Sequence, residues 1–168
     1  MSGRRLRVIC SCGAVEFEAV GKPIVTAVCY CDDCQAAARQ IEAMPGAASF
    51  RQSDGGTLLV VYRKDRVRCV RGEALLAKMK LRNDSATNRT LATCCNSAIT
   101  LDFDDSKHWV DIYGAPVQSI AMMPEMLVCT RFAPDIPTNP DRKPAHPGYP
   151  PRFVLKLLAA RAAMLFSR

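Results

Sequence analysis

Three cysteines within six residues, Cys29-Tyr30-Cys31-Asp32-Asp33-Cys34, constrain this chain more than any other feature of its sequence. Their thiols meet at one point only if the backbone turns sharply after Cys31, and thiols gathered in that way suit a metal ion. Two further clusters, Cys10-Ser11-Cys12-Gly13 and Cys94-Cys95-Asn96, leave only Cys69 and Cys129 of the nine cysteines unclustered. Those two read as small buried hydrophobes of the core. An odd count argues against a disulfide framework. None is needed, since a chain of 168 residues buries roughly two-thirds of its unfolded surface. A hydrophobic fraction of 49% also excludes wholesale disorder.

Thiolates suit zinc, whose sites are tetrahedral. Three local ligands leave one position vacant, the feature that separates catalytic zinc from structural zinc. Three thiolates on a divalent ion leave a net negative centre. Such a centre activates water poorly but holds an incoming thiol as thiolate, so thiol chemistry is expected in preference to hydrolysis. Two alternatives stand beside this reading. A fourth cysteine from another cluster closes the site, or the three thiols are merely buried together. Cys10 and Cys12 form a claw at a hairpin, completed from far along the chain by Cys95 and, less readily, Cys94. Neighbouring side chains on a strand point to opposite faces, which favours Cys95 of that pair.

The rest of the chain reads as mainly β. Leu6, Val8 and Cys10 alternate with polar neighbours, as do Val15, Phe17 and Ala19, which predicts a hairpin. Ile24 to Val28, Thr57 to Tyr62, Val67 to Val70, Arg89 to Thr93, Ala98 to Phe103 and Trp109 to Tyr113 read as further strands. Asp33 to Ala43 has the composition of a short helix, capped by Asp32 or Asp33. Ala74 to Leu81 suits a helix or a strand equally. Residues 133–151 hold seven of the eleven prolines and read as an extended linker. Residues 152–168 then form a basic, largely apolar helix. This divides the chain into a zinc-binding domain at 1–132, a linker at 133–151 and a terminal helix at 152–168. The helix needs a cover: its own domain, a second copy of the chain in a homodimer, or a membrane surface.

The formal charge of +7 lies mostly after residue 129, where seven Lys and Arg face two Asp. No dense basic patch with interleaved aromatics marks the body, so nucleic acid is not an expected partner. The N-terminus lacks the apolar stretch of a secretory signal, and no run is long enough to span a bilayer, so a cytoplasmic protein is expected. No glycine-rich phosphate loop appears. His108, His146 and the acidic run Asp102, Asp104 and Asp105 read as solvated surface.

Cys10, Cys12, Gly13, Val15 and Phe17, then Cys29, Cys31 and Cys34, then Arg89, Cys95 and Ser97 form a pattern over residues 5–115. It resembles the glutathione-dependent formaldehyde-activating enzyme and centromere protein V domain family. The resemblance implies a β-tent fold of antiparallel sheets with two zinc sites. It implies that Cys29, Cys31 and Cys34 hold a catalytic zinc. Cys10, Cys12 and Cys95 would belong to a structural zinc, with Cys94 as the substitute for a missing ligand. The implied reaction is a carbon–sulfur lyase reaction joining formaldehyde to glutathione, and the implied partner is glutathione or another small thiol. Four positions depart from the family pattern. Ala92 stands where the third cluster's first cysteine belongs, Asn96 replaces a glycine, Tyr30 a histidine and Arg39 a second glycine. A non-catalytic zinc-binding module for protein contacts is the competing expectation.

Overall fold

The period-two patterns fold as strands. The computed structural model describes residues 5–115, 122–133, 135 and 143–166. Arg5–Ile9 (β1) and Glu16–Val20 (β2) form the expected hairpin, in register from Arg5↔Val20 to Ile9↔Glu16. Val25–Cys29 (β3) is followed by helix α1, Asp32–Glu42. Thr57–Arg63 (β4), Val67–Arg71 (β5), Leu76–Met79 (β6), Thr87–Ala92 (β7), Ser97–Phe103 (β8) and Trp109–Tyr113 (β9) come next. Met126–Val128 (β10) and helix α2, Pro151–Leu165, complete the described elements. The ambiguous stretch at 74–81 resolves into a 3₁₀ turn, Glu73–Leu75, that runs into β6.

Ten strands make two sheets, ordered β1-β2-β5 and β10-β3-β4-β9-β8-β7-β6. All pairs are antiparallel except β10 with β3. The mainly β class expected from the sequence is therefore what forms. Along β4, Val60 and Tyr62 pack toward the small sheet with Leu6, Val8, Val15 and Ala19. Leu59 and Val61 point the other way, into a core shared with Ile41 of α1 and Phe153 and Leu157 of α2. The large sheet is thus buried on both faces, which is why β4 reads as a continuous apolar run. Each such side chain, fully buried, contributes roughly 1.5–3 kcal/mol.

Helix α1 is capped by Cys31, not by Asp32 or Asp33 as expected. Its sulfur accepts the Cys34 N–H at 3.4 Å, and the two aspartates fall inside the first turn. There they still meet the positive end of the helix dipole. The part of the proline-rich stretch at 143–148 runs along β10: Leu127 N–H donates to the Pro144 carbonyl and His146 N–H to the Leu127 carbonyl, both at 2.9 Å. Residues 134 and 136–142 of that expected linker lie outside the described residues.

Helix α2 starts with Pro at its first turn, where the missing N–H costs nothing. It docks on its own chain through Phe153 and Leu157, a Lys156–Glu125 ion pair and a 2.8 Å hydrogen bond from His108 Nε2 to the Leu157 carbonyl. His108 is therefore half-buried under the helix, not the free turn residue expected. Leu155, Leu158, Leu165 and Phe166 remain 59–88% exposed on the far side. No helix among the described residues is long and apolar enough to cross a membrane.

Candidate metal centres

The Cys29 cluster is built by one local event, the passage from β3 into α1. Cys29 ends the strand, Cys31 caps the helix and Cys34 sits in its first turn. A capping residue and the residue three further on share one side of the helix start. Their sulfurs accordingly lie within 4.8 Å of one another, with Cys29 and Cys34 buried and Cys31 half-buried. The helix N-terminus favours a thiolate there. The thiols of Cys29 and Cys34 both donate toward Cys31, and with the Cys34 N–H and the Arg89 guanidinium they hold the Cys31 thiol far below its ordinary range. Neighbouring thiols and burial push Cys29 up; the Cys29 thiol lowers Cys34, but Cys31 and burial outweigh it and push Cys34 up. The three thiols thus hold one negative charge readily and resist a second and a third. A cation is what removes that resistance.

Arg89, only 1% exposed, lies behind the cluster on β7. Its Nη2 donates to the Asp33 carbonyl at 3.3 Å, while Nε and Nη1 find no acceptor in hydrogen-bonding geometry. A buried guanidinium with spare donors requires nearby negative charge. A dication bound by three thiolates supplies a net charge of −1, so the donor set and its surroundings fit a soft divalent metal such as zinc. A cleft of about 120 Å³ opens over Cys31 and Cys34, lined also by Leu59, Arg89, Asp111 and Tyr149. Four waters fill such a volume at roughly 30 Å³ each. Asp111 is 9% exposed with Oδ1 unpartnered, and burial, aided by the charge on Cys31, raises its carboxyl to about 7.

The other clusters come together as expected. Cys10, Cys12, Cys94 and Cys95 lie with all sulfurs within 4.8 Å. Cys10 Sγ is 3.6 Å from Cys12 and 3.9 Å from Cys94. Cys12 Sγ is 3.2 Å from Cys94, and Cys94 is 3.9 Å from Cys95. Sulfurs at about 2.3 Å from one tetrahedral zinc stand about 3.8 Å apart, so this set also fits. Both Cys94 and Cys95 join the group. The pair sits in a turn, not on a strand, and Asn96 turns the chain with a left-handed φ of 51°, a conformation asparagine tolerates. Cys94 reaches both Cys10 and Cys12. Cys95 rests on the Ser97 hydroxyl at 3.1 Å. Burial would raise the Cys95 thiol, but hydrogen bonds from Ser11, Ser97 and the Cys12 backbone outweigh it and bring the thiol to about 5. Ala92, in the expected ligand position, is a buried core residue of β7.

Three residues near the first centre escaped the sequence reading. Asp111 is hidden in an apolar strand. Tyr149 comes from the proline-rich stretch, and its hydroxyl stands 3.9 Å from Cys29 Sγ. Cys129 is buried, as expected of a core residue, in the same core cluster as Cys29 and Cys34. Cys69 is half-buried on β5, away from both centres. Tyr30 is fully buried and donates to Asp54 Oδ2 at 2.8 Å, so it is a packing residue. Arg39 is exposed on the last turn of α1.

A family model described as "Glutathione-dependent formaldehyde-activating enzyme" matches residues 5–126. A comparison with curated proteins finds no match. Among solved structures, the chain is similar to a Rhodobacter sphaeroides protein at 15% identity and a TM-score of 0.49, covering 83% of this chain and 98% of that one.

Proposed function

As the chain belongs to the glutathione-dependent formaldehyde-activating enzyme family, we propose that it joins a small aldehyde to the sulfur of glutathione or a similar small thiol, or reverses that addition. Cys29, Cys31 and Cys34 hold a zinc at the reacting centre, and Cys10, Cys12, Cys94 and Cys95 hold a second that fastens the fold. The convergence of three thiols beside a buried, under-satisfied Arg89 carries this reading. When bound, zinc supplies a site that keeps a sulfur deprotonated at neutral pH. Arg89 balances the excess negative charge of the thiolates. Asp111 lines the cleft with a carboxyl that exchanges its proton near neutrality, and it takes the proton an incoming thiol gives up. Leu59 and Tyr149 keep bulk water from the cleft, whose volume admits a thiol group and a one-carbon aldehyde while the remainder of a tripeptide lies outside. Nine free cysteines and a reduced thiol substrate both suit a reducing compartment.

Zinc-loaded protein mixed with glutathione and formaldehyde should speed formation of the hydroxymethyl thioether adduct, followed by NMR exchange, and Cys31→Ser should abolish the acceleration. Rates equal to the protein-free mixture would overturn the reading. The exposed apolar side of α2 supports the competing one, a zinc module that docks a protein, a second copy of the chain included. That module would bind zinc without accelerating the reaction.

A further inference from the structure

We infer that helix α2 seats the protein on the surface of an anionic lipid bilayer, lying in the interface without crossing it. The inference is independent of the chemistry assigned to the metal centres. It begins with the way α2 is fixed. Phe153 and Leu157 anchor one side in the core, Lys156 turns to Glu125, and the Leu157 carbonyl meets His108. With that side held, the helix cannot roll to hide the other. At about 100° per residue, Val154, Leu155, Leu158, Ala162, Leu165 and Phe166 fall within an arc of roughly 120° on the opposite side. All six are exposed, and the five large side chains range from Val154 at 45% to Phe166 at 88%. A contiguous apolar stripe of this kind marks an interaction surface.

Charge selects the occupant. From Arg142 onward the sequence carries six Lys or Arg and no Asp or Glu. Lys156 is taken up by Glu125, which leaves Arg152 and Arg161 as the exposed cations of α2. By the same helical spacing they border the apolar arc, one on each margin. A second copy of α2 would set these arginines against their equivalents, with no carboxylate on either helix to receive them. A protein groove would have to match the ridge side chain by side chain. A bilayer needs only the ridge and its marginal cations: the leucines and Phe166 enter the acyl boundary, and the arginine stems run along apolar surface while their heads reach lipid phosphates. Apolar burial alone gives weak attachment, and the attraction of Arg152 and Arg161 to anionic headgroups is the second contribution that interfacial binding needs.

The test is flotation of the full chain with vesicles of phosphatidylcholine, alone or with about 30% phosphatidylserine. The charged vesicles should bind at least tenfold more tightly than the neutral ones, and the difference should collapse between about 0.05 and 0.5 M salt. Arg152→Gln with Arg161→Gln should weaken binding to the charged vesicles roughly 25-fold, about fivefold per cation, and leave the neutral ones unaffected. Leu155→Gln with Leu158→Gln alters two exposed side chains outside the core, so the melting midpoint should hold. That variant should bind both kinds of vesicle at least tenfold more weakly. Failure of the parent chain to float with the charged vesicles, or equal flotation of the leucine variant, would overturn the inference. Sedimentation equilibrium without lipid supplies the remaining check, in which the chain should stay monomeric at micromolar concentration. A dimer that the leucine substitutions dissolve, in a chain that ignores vesicles, would assign the stripe to a second copy and overturn the inference as well.

Discussion

At the scale of single residues, Asp111 sets function against stability. Its carboxyl is buried beside Cys31 and is raised to about 7. The folded protein holds this proton more tightly than the unfolded chain does. The carboxyl's contribution to stability is therefore complete below about pH 4 and is lost as pH rises toward 7. Asp111→Asn should remove that slope and raise the thermal midpoint at pH 8, while lowering turnover by roughly 100-fold, the lower end for loss of a general base. Melting curves from pH 4 to 8, beside adduct-formation rates, check both signs. A second prediction concerns the pair in the turn before β8. Cys94 meets both Cys10 and Cys12, so Cys94→Ser should lower bound zinc from two ions per chain to one by elemental analysis. The sequence displayed this cluster, and the fold brings both Cys94 and Cys95 into it. The expected preference for Cys95 assumed a strand, and only the left-handed Asn96 reveals the turn.

At the scale of elements, one carboxylate joins α1 to the loop ahead of β4. Glu42 Oε1 accepts from the Ser49 hydroxyl and from the N–H groups of Phe50 and Arg51, and Oε2 accepts from the Arg51 guanidinium at 2.8 and 2.5 Å. Burial would raise this carboxyl, but those donors outweigh it and hold it below the ordinary range. Its contribution is present at neutral pH and fades as pH falls below the usual glutamate value. Glu42→Ala should cost about 2–3 kcal/mol, since it strands backbone donors in a half-buried loop; chemical denaturation at pH 7 measures it, and the deficit should shrink near pH 3. The strands around this loop were legible because alternation and turn residues recur along them. Strand β10 was not: three residues carry no period, and their partner is β3, some hundred residues earlier. With β10 unseen, neither the register that sets Val128 beside Cys29 nor the path that brings Tyr149 there was available to a sequence reading. The cap of α1 was missed for another reason, since cysteine caps helices well mainly as a thiolate.

At the scale of the whole molecule, the two sheets depend on the second centre in unequal measure. The large sheet is covered on one face by α1 and α2 and on the other by the small sheet. The small sheet has three strands and buries only one face, through residues such as Leu6, Val8 and Ala19. Its outer face is laced by Arg5 and Arg68 to Glu18 and by Arg7 and Arg71 to Glu16. Exposed pairs of this kind are screened by solvent and contribute too little to secure a sheet. Cys10 and Cys12, in the turn between β1 and β2, reach Cys94 and Cys95, in the turn between β7 and β8, and a metal there is a cross-link between the sheets. Removing it leaves one buried and three exposed or half-exposed thiols in place of a bond network, whereas the large sheet keeps its core. Chelation should accordingly speed amide exchange in β1, β2 and β5 by at least tenfold, equivalent to about 1.4 kcal/mol, with β4, β8 and β9 changing far less. Uniform acceleration across both sheets would mean that the metal supports the entire fold instead of fastening one sheet to the other. Cys94→Ser should reproduce the chelated pattern with the first centre still loaded, since the loosening belongs to this cross-link alone.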